Sequence, residues 1–463
     1  MRLRKGEKPL IFLFYYDDLE ICNGMGQART THELGCFYWA LLNLDKEHRL
    51  TRPCIRVATV CLKRAVGICG MEAVIHGPHR EGESPSWGVW MELLDKGLML
   101  NTPAGRQSYR GGTALLAADT PAAAGLVGTK KAVGPKTKSI CRNCHCCQVA
   151  GAHRKPCSFL AAIPSWAKFC KGRSCPFKLR SVTDIGEYEQ LLCDVLAGKQ
   201  KHSVVDQWLQ DRGLNTVLGA VWRFPHLSVL TGCPMDLMHI FFEGVARQGL
   251  GAISYWLTRS CNVDQHRVPT ALAEVAKQFG ETRSFFPHIN TTRVEHLREG
   301  MDGGLASGDC SFPGTCVQLA HTVLHLVAIF KPLVPPDQRG HIMWQYALLL
   351  CKVGRLLWRR SFSAADILEL DQAIWLHDSL LLGSPSLQHL WKPKNHYLSH
   401  FPLEILLWGP PRNYWCMNFE HENQLVKGAF EHSNFASVEM SAADEKALRV
   451  ALEDLERKKP KRD

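Results

Sequence analysis

Three carboxylates in this chain stand where a divalent metal ion could be held. Asp17 ends the apolar run Pro9-Leu-Ile-Phe-Leu-Phe-Tyr-Tyr16, and Asp119 ends the shorter run Thr113-Ala-Leu-Leu-Ala-Ala118. Clustered like charges repel one another unless a cation neutralises them. An oxygen-only set suits Mg2+ or Mn2+, which keep part of their water shell and bind phosphates directly. A third acid would come from a helix further along, and Glu243 in Cys233-Pro-Met-Asp-Leu-Met-His-Ile-Phe-Phe-Glu-Gly-Val245 meets that need. At an α-helical repeat Asp236, His239 and Glu243 are spaced by three and four residues and share one face. His239 reads there as an orienting or core histidine. A strand-end aspartate is ordinarily a turn former or a helix cap, so the metal reading requires all three acids together. Asp18 and Glu20 compete with Asp17, although strand alternation turns Asp18 to the opposite face. Glu420 and Glu422, in Met417-Asn-Phe-Glu-His-Glu-Asn423, compete with Glu243.

The elements that must position these acids follow from hydrophobic patterning. Residues 10–16 read as a strand buried on both faces, and 36–44 and 54–62 as two more strands separated by the charged Asp45-Lys-Glu-His-Arg turn. Ser84 or Ser86 would cap a helix running to about Leu100, with Trp87, Trp90, Met91 and Leu94 on one face. A short strand then ends at Asp119. The expected order is β-β-β-α-β, with acids ending the first and fourth strands. From 182 onward the pattern is mainly helical: 185–197, 235–256, 317–330, 342–358, 364–382 and a charged helix over about 442–457. The domain expectation is therefore a first part of the core at 1–124, a Cys-rich insertion at 125–181, a helical region with the third acid at 182–441, and a charged helix with a basic tail at 442–463.

The insertion has its own chemistry. Cys141-x-x-Cys144 supplies one close thiolate pair and Cys170 with Cys175 a looser second, which together make a tetrahedral set for structural Zn2+. Cys157 and His153 are spare ligands, and buried free thiols are the bland alternative. Lys130, Lys131, Lys136, Lys138 and Arg142 lie alongside as phosphate contacts, or simply as a solvated basic loop.

Composition bounds the rest. Hydrophobic residues are 46% and charged residues 21% of the 463, which excludes a disordered or fibrous chain. Lys and Arg total 55 against 44 Asp and Glu, a net charge of +11 that favours a polyanionic partner such as DNA. The tail Arg457-Lys-Lys-Pro-Lys-Arg462 reads as a nuclear localisation signal or a phosphate-contacting arm. Nineteen cysteines in so apolar a chain read as reduced thiols of a cytosolic or nuclear protein. No membrane segment is expected: the N-terminal apolar run stops at Asp17-Asp18 without a cleavage site, and 317–330 is short and holds His321 and His325. No phosphate-cradling loop, dinucleotide fingerprint or serine-hydrolase elbow is present, so no nucleotide cofactor is expected.

Several blocks, taken in order, resemble the CACTA-type (En/Spm-like) DNA transposases and their domesticated derivatives. They are Tyr15-Tyr-Asp-Asp-Leu-Glu-Ile-Cys-Asn23 with His32-Glu-Leu-Gly-Cys-Phe-Tyr-Trp-Ala-Leu-Leu-Asn-Leu44; Ala118-Asp-Thr with Gly125-Leu-Val-Gly128 and Cys141-Arg-Asn-Cys144; Pro234-Met-Asp-Leu-Met-His-Ile-Phe-Phe-Glu-Gly-Val245; and Lys392-Pro-Lys-Asn-His-Tyr-Leu-Ser-His-Phe-Pro402 with Met417-Asn-Phe-Glu-His-Glu-Asn423. The resemblance spans most of residues 10–435. It implies an α/β fold, a ribonuclease-H-like catalytic core with a mixed sheet, carrying a Cys-rich insertion and a large helical region. It also implies a DDE-type triad, here Asp17, Asp119 and Glu243, that holds two Mg2+ or Mn2+ ions for DNA strand cleavage and transfer in the nucleus, with self-association of the protein. Asp18, His239 and Glu420 would be accessory. The chain departs from the family pattern at Ala118 and Thr120, where the family usually has Gly and Asn. It also begins almost at the first catalytic strand, as a truncated or domesticated copy would. These departures keep two other readings open: a DNA- or chromatin-binding protein that has lost catalysis, and a zinc-held interaction scaffold.

Overall fold

The structure, a computed structural model, describes residues 7–22, 31–45, 50–51, 54–77, 86–129, 141, 219–229, 231–280, 286–287 and 311–432, with single positions or pairs between 186 and 214. It divides into two compact units. The first comprises Met1–His145, Leu179–Asp236 and Asn413–Asp463; the second comprises Cys146–Lys178 and Leu237–Arg412. Cys144, Cys170 and Cys175, the basic residues Lys130, Lys131, Lys136, Lys138 and Arg142, and the 442–457 helix with its tail lie outside the described residues.

The first unit is built on a five-stranded sheet of order β3-β2-β1-β5-β4. Strand β1 (Lys8–Cys22) pairs antiparallel with β2 (Thr31–Leu41), which pairs antiparallel with β3 (Arg56–Leu62). Three helices follow, α1 (Lys63–Cys69), α2 (Met71–His76) and α3 (Trp87–Lys96), then a hairpin of β4 (Leu98–Thr102) and β5 (Gly105–Ala117). Strand β5 returns parallel to β1, so the sheet is mixed. Helix α4 (Thr120–Val127) leaves directly from the end of β5.

Three expectations are corrected here. The helix expected to reach Leu100 stops at Lys96, because Gly97 at φ 102° breaks it and the following residues find ladder partners on β5. The order is therefore β-β-β-α-α-α-β-β, and the strand before Asp119 is the fifth. Asp17 does not end its strand: β1 runs on to Cys22 because β2 continues to pair with it as far as Thr31.

Side chains alternate across β1 as a strand's geometry requires. Phe12, Phe14 and Tyr16 face α3 and α4: Trp87 stacks on Phe14 at 5.2 Å and meets Phe12 edge-on at 5.4 Å, while Ala122, Ala123 and Leu126 of α4 join Phe14, Tyr16 and Leu116 in one cluster. Leu13, Tyr15 and Asp17 take the other face.

The second unit is helical. A π-helical stretch (Met238–Ala246) leads into α5 (Arg247–Arg259), followed by α6 (Arg267–Gln278), α7 (Cys316–Leu324), α8 (Leu326–Phe330), α9 (Ile342–Leu357), α10 (Ala364–Gly383), α11 (Pro393–Leu398) and α12 (Phe401–Trp408). Helices α9 and α10 lie close to the lengths expected from the sequence. Their contact positions are aliphatic at helical spacing, as with Leu350, Val353 and Leu357 of α9 and Leu370, Ile374 and Leu381 of α10. Gly354 allows α9 to approach α7, since a Cβ there would lie 2.5 Å from Val323 Cγ1. Among the described residues no helix is long and apolar enough to cross a membrane. The chain then re-enters the first unit with α13 (Met417–His432).

Candidate acidic site

Tyr15 and Ala117 form the last pair of the parallel β1–β5 ladder, two residues before Asp17 on β1 and two before Asp119, which lies just past the end of β5. Leu116 and Ala118 belong to the cluster on the α4 face, so Ala117 takes the opposite face, and Asp119, at φ −63° and ψ 168°, is the N-cap of α4. Both aspartates are half-buried.

Asp119 also caps a helix. Its Oδ1 accepts a 2.7 Å hydrogen bond from the Ala122 N–H at the start of α4. The ordinary role of a strand-end aspartate is therefore met, and any metal role is additional to it. This separates two substitutions. Asp119→Ala should cost about 1 kcal/mol through the lost cap, and Asp119→Ser only a few tenths; both should abolish any divalent-ion-dependent activity. Thermal unfolding run beside an activity assay distinguishes the two roles.

Asp17 is gripped from its own face. The Tyr15 hydroxyl, two residues back on β1, donates to Asp17 Oδ2 at 3.0 Å, and Asn423 Nδ2 of α13 donates to the same oxygen at 2.8 Å. Asn423 Oδ1 in turn accepts from the Tyr38 hydroxyl at 2.8 Å. Phe419, one turn earlier on α13, stacks on Tyr15 with ring centroids 4.4 Å apart and planes 10° apart. Cys416 anchors the approach to the helix, its N–H donating to Asp236 Oδ1 at 2.7 Å.

The rival Asp18 serves the opposite face. It accepts from the Tyr16 hydroxyl and pairs at 3.0 Å with Lys63, which also holds Glu33 at 2.9 Å. Those partners lift the Lys63 ammonium above its usual range, the hydrogen bond to Glu33 contributing most. Glu20 is exposed.

Two further acids arrive on α13. Glu422 is 1% exposed and Glu420 half-buried. Burial raises the Tyr15 hydroxyl well above its ordinary value, and the negative charges of Asp17, Cys416 and Glu420 add to the rise. Tyr38 is raised in the same way by burial and then by Cys36 and Glu422. Glu420 thus shares with Asp17 the surroundings of Tyr15, whereas Glu422 acts on Tyr38 of β2. At about 100° per residue the two glutamates point roughly 160° apart around the helix, on either side of Asn423.

The first-choice third acid, Glu243, belongs to the second unit, where its carboxylate lies 3.5 Å from Arg247, whose guanidinium also donates to the Gly314 carbonyl at 3.0 Å. Asp236 precedes the π-helical stretch Met238–Ala246, which carries His239 and Glu243 four residues apart. Of the zinc ligands expected from sequence, Cys141 is buried and the other three are outside the described residues.

A comparison of the chain with protein-family models and with curated proteins finds no match to either.

Sequence reasoning passed over Tyr15, Tyr38 and Asn423. The signal for Tyr15 was the Tyr-x-Asp spacing within a strand, which puts both side chains on one face. Asn423 closed the late block already noted for its two glutamates.

Proposed function

We propose that the first unit is the catalytic core of a DNA-cleaving and strand-transferring protein of the DDE transposase type, with Asp17 and Asp119 as its paired acids and Glu420 as the third. The observation that supports the reading is the parallel β1–β5 pairing, whose last pair stands two residues before each aspartate, together with a helix whose Asn423 donates to Asp17 and whose Glu420 adds to the charge around Tyr15. Three antiparallel strands followed by a strand parallel to the first also fit a ribonuclease-H-like core. The donor set is made of carboxylate oxygens, which fits Mg2+ or Mn2+ and does not fit a soft metal.

Asp17, Asp119 and Glu420 would hold such ions, whose chemistry when bound would be activation of an attacking hydroxyl and stabilisation of the leaving oxygen of a phosphodiester. The protein's own part is to hold three negative charges together and to fix their orientation. Tyr15 and Asn423 do this for Asp17, and the α4 N-terminus does it for Asp119. The net charge of +11 supports DNA as the substrate and a nuclear location, and the cysteine-rich segment supports a structural zinc.

One structural observation favours a second reading, in which the protein binds DNA without cutting it. The Asp119 carboxylate has a sufficient structural reason for its place as the cap of α4. Nicking of supercoiled DNA in Mn2+ decides between them. The parent protein should nick and Asp17→Asn should not, with DNA retention equal for both. DNA binding with no nicking by the parent would leave the non-catalytic reading standing.

A further inference from the structure

We infer that Asn423 is a positioning residue for the acidic site, holding the Asp17 carboxylate in the orientation that binds a divalent ion. This rests on the acidic-site reading above. A carboxylate can only accept hydrogen bonds, so the Asn423 amide must turn its NH2 group toward Asp17 and its oxygen toward Tyr38. So oriented, the amide oxygen accepts from the Tyr38 hydroxyl at 2.8 Å. A flipped amide would set its own oxygen against Asp17 Oδ2.

The chain Tyr38, Asn423, Asp17, Tyr15 therefore has a single consistent direction of donation. It spans β2, α13 and β1, so it also ties the helix bearing Glu420 to the strand bearing Asp17. Its members outside Asp17 are nearly sealed from water: Tyr38 is 0%, Tyr15 1% and Asn423 3% exposed. Both donors converge on Oδ2 of Asp17, at 2.8 and 3.0 Å, which fixes the plane of the carboxylate and so the direction of Oδ1. Partners that orient a metal's ligands are typically worth 10- to 100-fold in metal affinity or activity.

The test is Mn2+ binding to the full chain, followed by loss of the free-ion paramagnetic resonance signal, with no DNA present. The proteins compared are the parent, Asp17→Asn, Asn423→Leu and Tyr38→Phe, and thermal unfolding is recorded for each. Asp17→Asn should lose the site. Asn423→Leu should weaken Mn2+ binding about 10- to 100-fold. Tyr38→Phe, which keeps its ring packing and leaves Asn423 in place, should weaken binding by a smaller factor without lowering the unfolding temperature to match. Excess Mn2+ should restore nicking by Tyr38→Phe, a rescue that a merely structural role would not give.

If Tyr38→Phe and a folded Asn423→Leu bind Mn2+ as tightly as the parent while Asp17→Asn does not, the positioning role is overturned and the acidic site stands. Should Asp17→Asn itself bind as the parent does, the acidic site falls and the role of Asn423 falls with it.

Discussion

Glu420→Gln is expected to reduce Mn2+-dependent DNA nicking by about 100- to 1000-fold, the usual loss when one preorganised electrostatic group is removed from a transition state. Glu243→Gln should stay within a few-fold of the parent. The amide has nearly the same volume as the carboxylate and keeps its hydrogen-bonding capacity, so unfolding temperature and DNA retention should change little for either variant. The contrast follows from where each side chain is held. Glu420 sits on the helix that grips Asp17 and contributes to the charge around Tyr15. Glu243 lies beside Arg247 in the helical unit. Loss in kcat with unchanged DNA affinity would mark an interaction made in the transition state. A dead Glu243→Gln beside a normal Glu420→Gln would move the third acid to the π-helical segment.

The strands β1 and β5 were legible in the sequence because strands announce themselves by continuous apolar runs, and an acid that follows such a run is conspicuous. Parallel pairing of the two strands was not legible: it depends on the β4–β5 hairpin, whose first strand, Leu98–Thr102, was absorbed into the preceding helix until Gly97 was seen to break it. The placement of Glu243 in the second unit was not legible either, because a boundary between compact units that falls between Asp236 and Leu237 leaves no mark in the residue types. Helix α13 was not foreseen as a helix, since its pattern is weakly amphipathic. Its buried face mixes Phe419 and Val426 with the polar Glu422 and Asn423, and Asn423 there bonds Asp17 and Tyr38 of the sheet. The polar residues that obscured the element are those that give it a role.

Phe419→Ala should be the most damaging single truncation in the candidate site, lowering stability by about 3–5 kcal/mol, the usual cost of emptying a buried aromatic position. Phe419 is 0% exposed and stacks on Tyr15 at 4.4 Å. A stacked aromatic pair adds about 0.5–1.5 kcal/mol beyond its buried area. Against a total of about 5–15 kcal/mol for a typical domain, this is a large fraction. Phe419→Leu keeps much of the apolar volume and should lose far less. The consequence for function runs through α13. With Phe419 removed, the helix keeps its attachment at Cys416 and the hydrogen bonds of Asn423, and those bonds to Asp17 and Tyr38 must then hold the helix without the stack that excludes water from them. Mn2+ binding should weaken in Phe419→Ala at temperatures where the sheet is still folded, as judged by far-ultraviolet circular dichroism, and Phe419→Leu should largely preserve it. Denaturant unfolding of Phe419→Ala within about 1 kcal/mol of the parent, where surface substitutions fall, would mean that the stack does not hold α13 to the sheet. In that event Asn423 and Glu420 would have no fixed place above Asp17.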